Sequence, residues 1–388
     1  MFEQLASTKP DAIMAVMAQY KADPRDNKID LGPGVYRDDA GNTPVMEAVK
    51  SAEQILHTTQ DSKAYIGLVG DKLFLDHLRD LAFGDISSEH HRLTSIQTPG
   101  GCGALGLAAQ LIRYTSQASK ILFGLPTWAN HGPLFQAAGI EIESHQFYDA
   151  DLKKVDFESV VNALLAANAG DVALLHACCH NPTGSDFTLE QWQEITAICN
   201  KKGLIPLVDM AYQGFGDGIE EDRQGIRHIL QNVEEAIVTV SCSKNFGLYR
   251  ERTGAIFVLT KDQSTAKLVQ DNLCSFARHS YSMPPDHGAA IVATILGDKK
   301  LKGIWLAELN VMRERIINTR QTLAAELGAD FKFLQQQRGL FSLLPLSQAQ
   351  IKELNSTHGI YMSPDGRINL AGFKHTDIKR FAKVINSL

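Results

Sequence analysis

The run Ala236-Ile237-Val238-Thr239-Val240 is apolar or β-branched at every position, with no polar alternation to give it a solvent face. A strand of that composition is buried on both sides, the condition of an inner strand in a helix-covered parallel sheet. Similar runs occur in KILFGL (120–125), DVALLH (171–176) and LIPLVD (204–209). Helical patterns lie between them, such as TLEQWQEITAICNKKG (188–203), where Thr188 and Gln191 form a capping box and Gly203 supplies the stop. Alternation of buried strand and helix predicts an α/β fold with a mainly parallel sheet. With 388 residues, 44% of them apolar, the chain has length for one large domain and a smaller companion.

Charge excludes several functions. Lys and Arg number 38 against 44 Asp and Glu, and the charges are unclustered, so neither nucleic acid nor an anionic membrane is an expected partner. The absence of a long apolar run and of a leader pattern at the N-terminus (MFEQLASTKPDAIMAVMAQYKADPRD) predicts a soluble, cytoplasmic protein. Asp11 after Pro10 reads as the start of a helix over 11–21. The six cysteines show no metal-site spacing, and Cys178 and Cys179 would point to opposite faces if extended; they read as reduced core thiols, and no metal is expected.

The strand at 236–240 stops at Ser241-Cys242-Ser243-Lys244. Ligands of open α/β sheets collect at the carboxyl ends of strands, so Lys244 is placed for chemistry. An amine that is partly desolvated and flanked by a cation loses its proton more easily and becomes a nucleophile toward an aldehyde. Arg252 and the Ser241 hydroxyl suit a phosphate. Asp209 ends another apolar strand, where a carboxylate is costly unless a cation or donor meets it. Gly101-Cys102-Gly103-Ala104-Leu105-Gly106 has the form G-x-G-x-x-G, yet no acidic residue occurs between Gly100 and Gly139 to bind a ribose, so the nicotinamide reading fails. Backbone N–H groups at a helix start still suit a phosphate of any origin. His176 and His180 are four apart, which would suit zinc only on a helix, and Pro182 argues against one. Asn181, before that proline, is held extended or cis. Residues 301–327 read as one long helix, a strut between two domains.

Three further motifs, HNPTG (180–184), DMAYQGF (209–215) and GRINLAG (366–372), occur in order with the Lys244 segment. Together they make the whole chain resemble the class I pyridoxal-phosphate aminotransferases of the aspartate and aromatic amino acid group. The resemblance implies a fold-type I enzyme: a seven-stranded, mainly parallel sheet in a large domain over 45–308, and a smaller α/β domain built from 1–44 and 309–388. It implies that Lys244 holds pyridoxal 5′-phosphate and then moves the substrate proton. Asp209 would meet the pyridine nitrogen, with His131 and His176 behind it, and Tyr212 and Asn181 the 3′-oxygen. Gly101, Cys102, Ser241 and Arg252 would surround the phosphate, and Trp128 would stack on the ring. At Cys102 the family usually has Ser or Thr. Gly34, Trp128, Asn181 and Arg367 would bind the substrate at its α-carboxylate end.

The family also implies a homodimer with shared sites, in which Tyr65 reaches the partner's phosphate and Arg278 binds a distal substrate carboxylate. One such bidentate pair is worth roughly 2–5 kcal/mol. The expected reaction is ping-pong transamination of aspartate, and of aromatic amino acids as a side activity, with 2-oxoglutarate. Val35, Arg37 and Thr43 resemble aspartate-preferring relatives, whereas Ala64, Cys102 and Met283 match neither group. An aromatic preference, or a lyase or decarboxylase on the same scaffold, is the alternative.

Overall fold

A computed structural model of the chain describes residues 2–6, 12–115 and 119–388. Packing divides the chain into two units: Pro44–Arg315 with Gln337–Gly339, and Met1–Thr43 with Ile316–Gln336 and Leu340–Leu388.

The larger unit is built on seven strands: β1 (Leu93–Pro99), β2 (Lys120–Leu125), β3 (Glu141–Gln146), β4 (Val172–His176), β5 (Ile205–Met210), β6 (Ala236–Ser241) and β7 (Thr253–Leu259). Their spatial order is β1-β7-β6-β5-β4-β2-β3. Pairing is parallel from β6 through β5, β4 and β2 to β3, while β7 runs antiparallel to both neighbours. All six residues of β6 are buried, as its unbroken apolar run requires. The outer strand β3 instead exposes Glu141 and Glu143, charges that discourage pairing with another chain at that edge.

Helix α1 (Gly100–Thr115) follows β1 directly and lays Leu105, Ala108 and Ile112 into a core shared with Ile96, Leu207 and Ile256. Gly100 has φ of +70°, a left-handed conformation that turns the chain from strand to helix within one residue. Gly254, at the start of β7, allows the close approach of three backbones, because a Cβ there would lie 2.5 Å from the Val240 carbonyl oxygen and 2.7 Å from the Gly100 carbonyl carbon.

Helix α2 (Gln263–Ser280) packs on the sheet through Leu273 and Phe276. Helix α3 (Lys299–Leu327) is a single 29-residue helix, and the division between the units falls within it, after Arg315. The helix expected from residue 11 is seen from Ala12 to Ala22; its anticipated start at Asp11 lies outside the described residues.

The smaller unit holds two short strand pairs. Ile29–Asp30 runs parallel to Ile360–Tyr361, and Phe341–Leu343 antiparallel to Arg367–Asn369. Arg320 is fully buried there, donating to Ser342 Oγ at 2.7 Å and to the Phe341 carbonyl at 2.6 Å. These bonds repay part of the cost of burying a guanidinium.

Candidate active site

Because β2, β4, β5 and β6 are parallel to one another and β1 is parallel to β6, their carboxyl ends share one edge of the sheet. The antiparallel β7 begins at that edge. Topology alone therefore gathers Gly100 after β1, Trp128 after β2, His176 in β4, Asp209 in β5, Lys244 after β6 and Arg252 before β7.

Lys244 is partly buried, with its Nζ 4.9 Å from the centre of the Tyr212 ring. Burial lowers its pKa to about 8; Asp209 opposes that fall and Arg252 adds to it. Near neutral pH a substantial minority of the amine is thus unprotonated, where an ordinary lysine would be almost wholly charged.

Asp209 is buried and accepts a 2.7 Å hydrogen bond from Thr239 Oγ1, its cross-strand neighbour in register. His131 Nε2 stands 3.4 Å from Asp209 Oδ2. Burial pushes the Asp209 carboxyl up, but His131 and the Thr239 hydroxyl outweigh it and leave the pKa below the usual value. Asp209 is therefore an anion at neutral pH.

Thr127 Oγ1 lies 2.8 Å from His131 Nδ1 and 2.9 Å from His176 Nε2. A hydroxyl has one proton to give, so it donates to one ring and accepts from the other, coupling their tautomers. Burial, then His131, lowers the pKa of His176 to about 3, so this ring is neutral and serves as a fixed dipole. His176 ends a strand, as the sequence predicts, and the His180 ring packs on it at 4.0 Å between centroids, tilted by 39°.

Asn181 Nδ2 donates to the Tyr212 hydroxyl at 3.4 Å, both residues being buried, and the Asn181-Pro182 bond is cis. Trp128 meets the His131 ring edge-on at 5.2 Å. A second cluster lies beside this one. A Cβ on Gly100 would come within 2.8 Å of Arg252 Nη2, and one on Gly101 within 3.1 Å of Ser241 Cβ, so glycines let these side chains approach the helix start closely. Cys102 follows them in the first turn of α1, its Sγ 3.6 Å from Asn130 Nδ2.

Tyr65 is 91% exposed, and Arg278, near the end of α2, is an exposed side chain bonded to Ser282 Oγ. Gly34 and Arg367 belong to the smaller unit. There Arg367 is buried, donates to the Gly32 carbonyl at 2.9 Å and lies 4.4 Å over the Phe341 ring. A Cβ on Gly34 would sit 2.8 Å from Phe341 Cζ, so Gly34 lets its loop close over that ring.

One expectation is corrected. Cys178 and Cys179 do not point to opposite faces of an extended segment: Cys179 has φ of +52°, and both thiols fall within 4.8 Å of an Asp222 carboxylate oxygen and of each other. The loop turns because Asp186 accepts from the backbone N–H groups of Cys179 (2.7 Å) and His180 (2.8 Å).

Sequence reasoning also passed over the roles of Thr127 and Thr239. Thr239 looks like strand filler, and only the register that sets it opposite Asp209 reveals its use.

A lysine amine of lowered pKa and a buried carboxylate that acts on its charge thus share the carboxyl edge of an open α/β sheet, where such folds bind their ligands. The aminotransferase class I and II family pattern matches residues 26–385. The chain is 50% identical to a tyrosine aminotransferase of Rhizobium meliloti (strain 1021), over all of both chains. It is 42% identical to an aspartate aminotransferase of Escherichia coli (strain K12), over 96% of each. The structure of an aromatic-amino-acid aminotransferase from Burkholderia pseudomallei, covalently bound to pyridoxal phosphate, superposes with a TM-score of 0.97 at 34% identity, covering 100% of this chain and 99% of that one. The chain therefore belongs to the class I and II aminotransferases, and it is an aminotransferase with the fold-type I architecture. Among the described residues no helix is long and apolar enough to cross a membrane.

Proposed function

We propose that the protein transfers amino groups by a two-stage, ping-pong exchange between aspartate or aromatic amino acids and 2-oxoglutarate, with pyridoxal 5′-phosphate held at Lys244. The observation that carries this reading is the Lys244 amine, its pKa lowered to about 8, beside the buried anion of Asp209. The residues fit the cofactor in charge and in space. Gly100 and Gly101, at the start of α1, bring its backbone close to the Arg252 guanidinium and to Ser241, groups suited to a phosphate. When bound, the cofactor supplies a carbonyl that condenses with amines and a cationic ring that withdraws electrons from Cα.

The rest falls to this chain's residues. Asp209 is an anionic partner for a protonated ring nitrogen, kept so by His131 and Thr239. Asn181 and Tyr212, already bonded to each other, offer an amide and a phenol to the same ring oxygen. Gly101, Cys102, Ser241 and Arg252 receive the phosphate, and Trp128 covers the ring. Lys244, with its amine free, would take the proton from the substrate Cα as a base and return it as an acid. Arg367, Asn181 and Gly34 hold the substrate's α-carboxylate. We propose further that the two units are a cofactor-binding and a substrate-side domain, and that the enzyme is a cytoplasmic homodimer. The exposed Tyr65 and Arg278 then act in the partner's site, on phosphate and distal carboxylate respectively.

An aromatic preference is the second reading, favoured because the 50%-identical relative is a tyrosine aminotransferase, against 42% for the aspartate enzyme. The ratio of kcat/KM for tyrosine to that for aspartate decides between them. If Arg278→Ala reduced both equally, the distal-carboxylate role would be wrong.

The test of the whole reading is an absorbance spectrum of the purified protein, which should show a visible band that shifts on adding glutamate. Lys244→Ala should abolish that band and cost at least about 10³-fold in amino exchange, within the range for a lost general acid–base group. Exchange at the normal rate in Lys244→Ala would sink the proposal.

A further inference from the structure

Gln97 lies in β1 and is wholly buried, where an amide costs free energy unless its donor and its acceptor are both met. Both are. Its Oε1 accepts from the Asp71 backbone N–H at 2.8 Å, and its Nε2 donates to the Pro285 carbonyl at 2.7 Å. An N–H cannot accept and a carbonyl cannot donate, so one orientation of the amide serves both partners. The main chain repeats the pattern: the Gln97 N–H donates to the Val69 carbonyl at 2.8 Å, and the Gln97 carbonyl accepts from the Tyr281 hydroxyl at 3.4 Å. One residue thus fastens two segments, 69–71 and 281–285, that are far apart in sequence.

The fastening is close. A Cβ on Gly70, whose φ is +88°, would lie 2.4 Å from Gln97 Cβ, so any other residue there would hold the 69–71 segment off β1. A further bond joins the two segments directly, the Ile66 N–H meeting Met283 Sδ at 3.2 Å. Tyr65 immediately precedes Ile66, and Arg278 bonds the hydroxyl of Ser282, the residue before Met283. Ser282 has φ of +67° and donates its N–H to the Ala277 carbonyl at 2.9 Å, which folds the 281–285 segment back on the end of α2. The exposed side chains of Tyr65 and Arg278 are therefore carried by segments tied to each other and to β1, the strand that runs directly into Gly100 and Gly101.

We propose that Gln97 is a positioning residue for Tyr65 and Arg278: it holds their two segments in one register, so that the phosphate contact and the distal-carboxylate contact in the partner's site are set together. The proposal rests on the reading that these two side chains act in the partner's site, and adds what fixes one relative to the other. Both are exposed, so their aim depends on the backbone that carries them. Loosening the tie misplaces both at once. The loss then falls on binding of the cofactor and of the dicarboxylic substrate, and not on the proton transfers assigned to Lys244.

The test is Gln97→Met, which keeps side-chain length and removes both side-chain bonds. Pyridoxal phosphate binding is followed by the visible band and exchange by steady-state kinetics. The cofactor Kd should rise at least about threefold and the KM for aspartate at least about fivefold, with kcat within about twofold of the wild type. The KM for tyrosine, which has no distal carboxylate, should rise less than about twofold. In the Gln97→Met background, Tyr65→Phe and Arg278→Ala should each cost less than they do alone. Equal rises in KM for aspartate and tyrosine, a fall in kcat with Kd and KM unchanged, or full additivity with both variants would each overturn the proposal. Met283→Leu keeps the apolar volume and removes only the acceptor of the Ile66 N–H; it should raise the cofactor Kd in the same direction and reduce the effect of Tyr65→Phe. If Gln97→Met does not fold, this variant decides, and an unchanged Kd overturns the proposal. If Tyr65→Phe leaves the Kd and Arg278→Ala leaves the aspartate KM at wild-type values, the partner-site reading is itself wrong and this proposal falls with it. If those two variants have their effects and Gln97→Met has neither, this proposal alone is overturned.

Discussion

Two buried carboxylates of the larger unit, Asp209 and Asp222, have similar exposure and opposite electrostatics. Asp209 is 8% exposed and Asp222 7%. Asp222 accepts backbone N–H bonds from Gly214 (2.8 Å), Gly216 (2.9 Å) and Asp217 (3.0 Å), yet burial dominates and its pKa is raised. Asp209 is met by side chains instead, Thr239 and His131, and its pKa is lowered. The difference lies in what remains free. Asp222 spends its oxygens shaping the loop after β5, and Gly216 packs so near that a Cβ would be 2.3 Å from Asp222 Oδ1. Asp209 keeps an anionic carboxylate at the sheet edge, backed by groups that hold the charge without surrounding it. Asp222 is a structural clasp, whereas Asp209 has the state that the proposed role of counter-ion to the cofactor's ring nitrogen requires.

Breaking the functional member should have the largest effect. Asp209→Asn keeps the shape and loses the charge. Removing one partner of a buried ion pair costs about 3–5 kcal/mol, so amino exchange should fall by roughly 10²–10⁴-fold. Melting temperature should change little. A variant with wild-type kcat and normal visible spectrum would show that Asp209 is no counter-ion.

The structural member should give the converse. Asp222→Ala leaves three backbone donors without their acceptor, at about 1–3 kcal/mol for each buried group left unsatisfied. Thermal or urea unfolding should therefore show a loss of at least about 2 kcal/mol. The fraction that stays folded should keep most of its kcat, because Asp222 touches the loop and not the reacting groups.

Asp186, the clasp of the preceding loop, sharpens the comparison through pH. Burial raises its pKa to about 6, helped by Asp222 and opposed by its two backbone bonds and Arg338. The folded state then binds a proton more tightly than the unfolded chain does. Its contribution to stability is present at low pH and is lost as pH rises from about 4 through about 6. Asp209 has the opposite sign, contributing above the unfolded pKa and losing that contribution as pH falls through its lowered folded value. Melting temperature measured from pH 4 to 7 should fall less steeply, or rise more, in Asp186→Asn than in the wild type. Identical profiles would mean that Asp186 does not titrate with folding.

The sequence made one half of this contrast legible. Asp209 announces itself because an acid at the end of an apolar run is costly and demands a partner, and the runs themselves reveal inner strands because both faces are buried. Lys244 and Asp209 could thus be placed at strand ends before any coordinates, whereas Tyr212 and Asn181 joined them only through the family resemblance. Asp222 gave no such signal, since it lies in a polar stretch, DGIEED, where a solvated acid is the ordinary expectation. Its burial is a tertiary fact. The turn at Cys178-Cys179 escaped for the same reason: the Asp186 carboxylate that caps it lies several residues ahead, and nothing local to the two cysteines announces a left-handed residue. The antiparallel direction of β7 was likewise hidden, because strand composition records burial and not direction.

Thr239 tests how far the side-chain support of Asp209 matters, and its effect should be the smallest of these. Thr239→Val preserves volume and β-branching in a fully buried strand, so packing and the register with β5 should survive. It removes the 2.7 Å hydroxyl bond to Asp209 Oδ1. A hydrogen bond to a charged acceptor contributes about 1.5–3 kcal/mol, and His131 still faces the other oxygen, so the lower end applies: roughly a tenfold fall in kcat/KM. With less stabilisation of the anion, the Asp209 pKa should rise, and the acid limb of the pH–rate profile should move to higher pH. A lower melting temperature with an unmoved acid limb would assign Thr239 to packing, whereas a shifted limb at unchanged melting temperature would show that the hydroxyl helps hold the charge on Asp209.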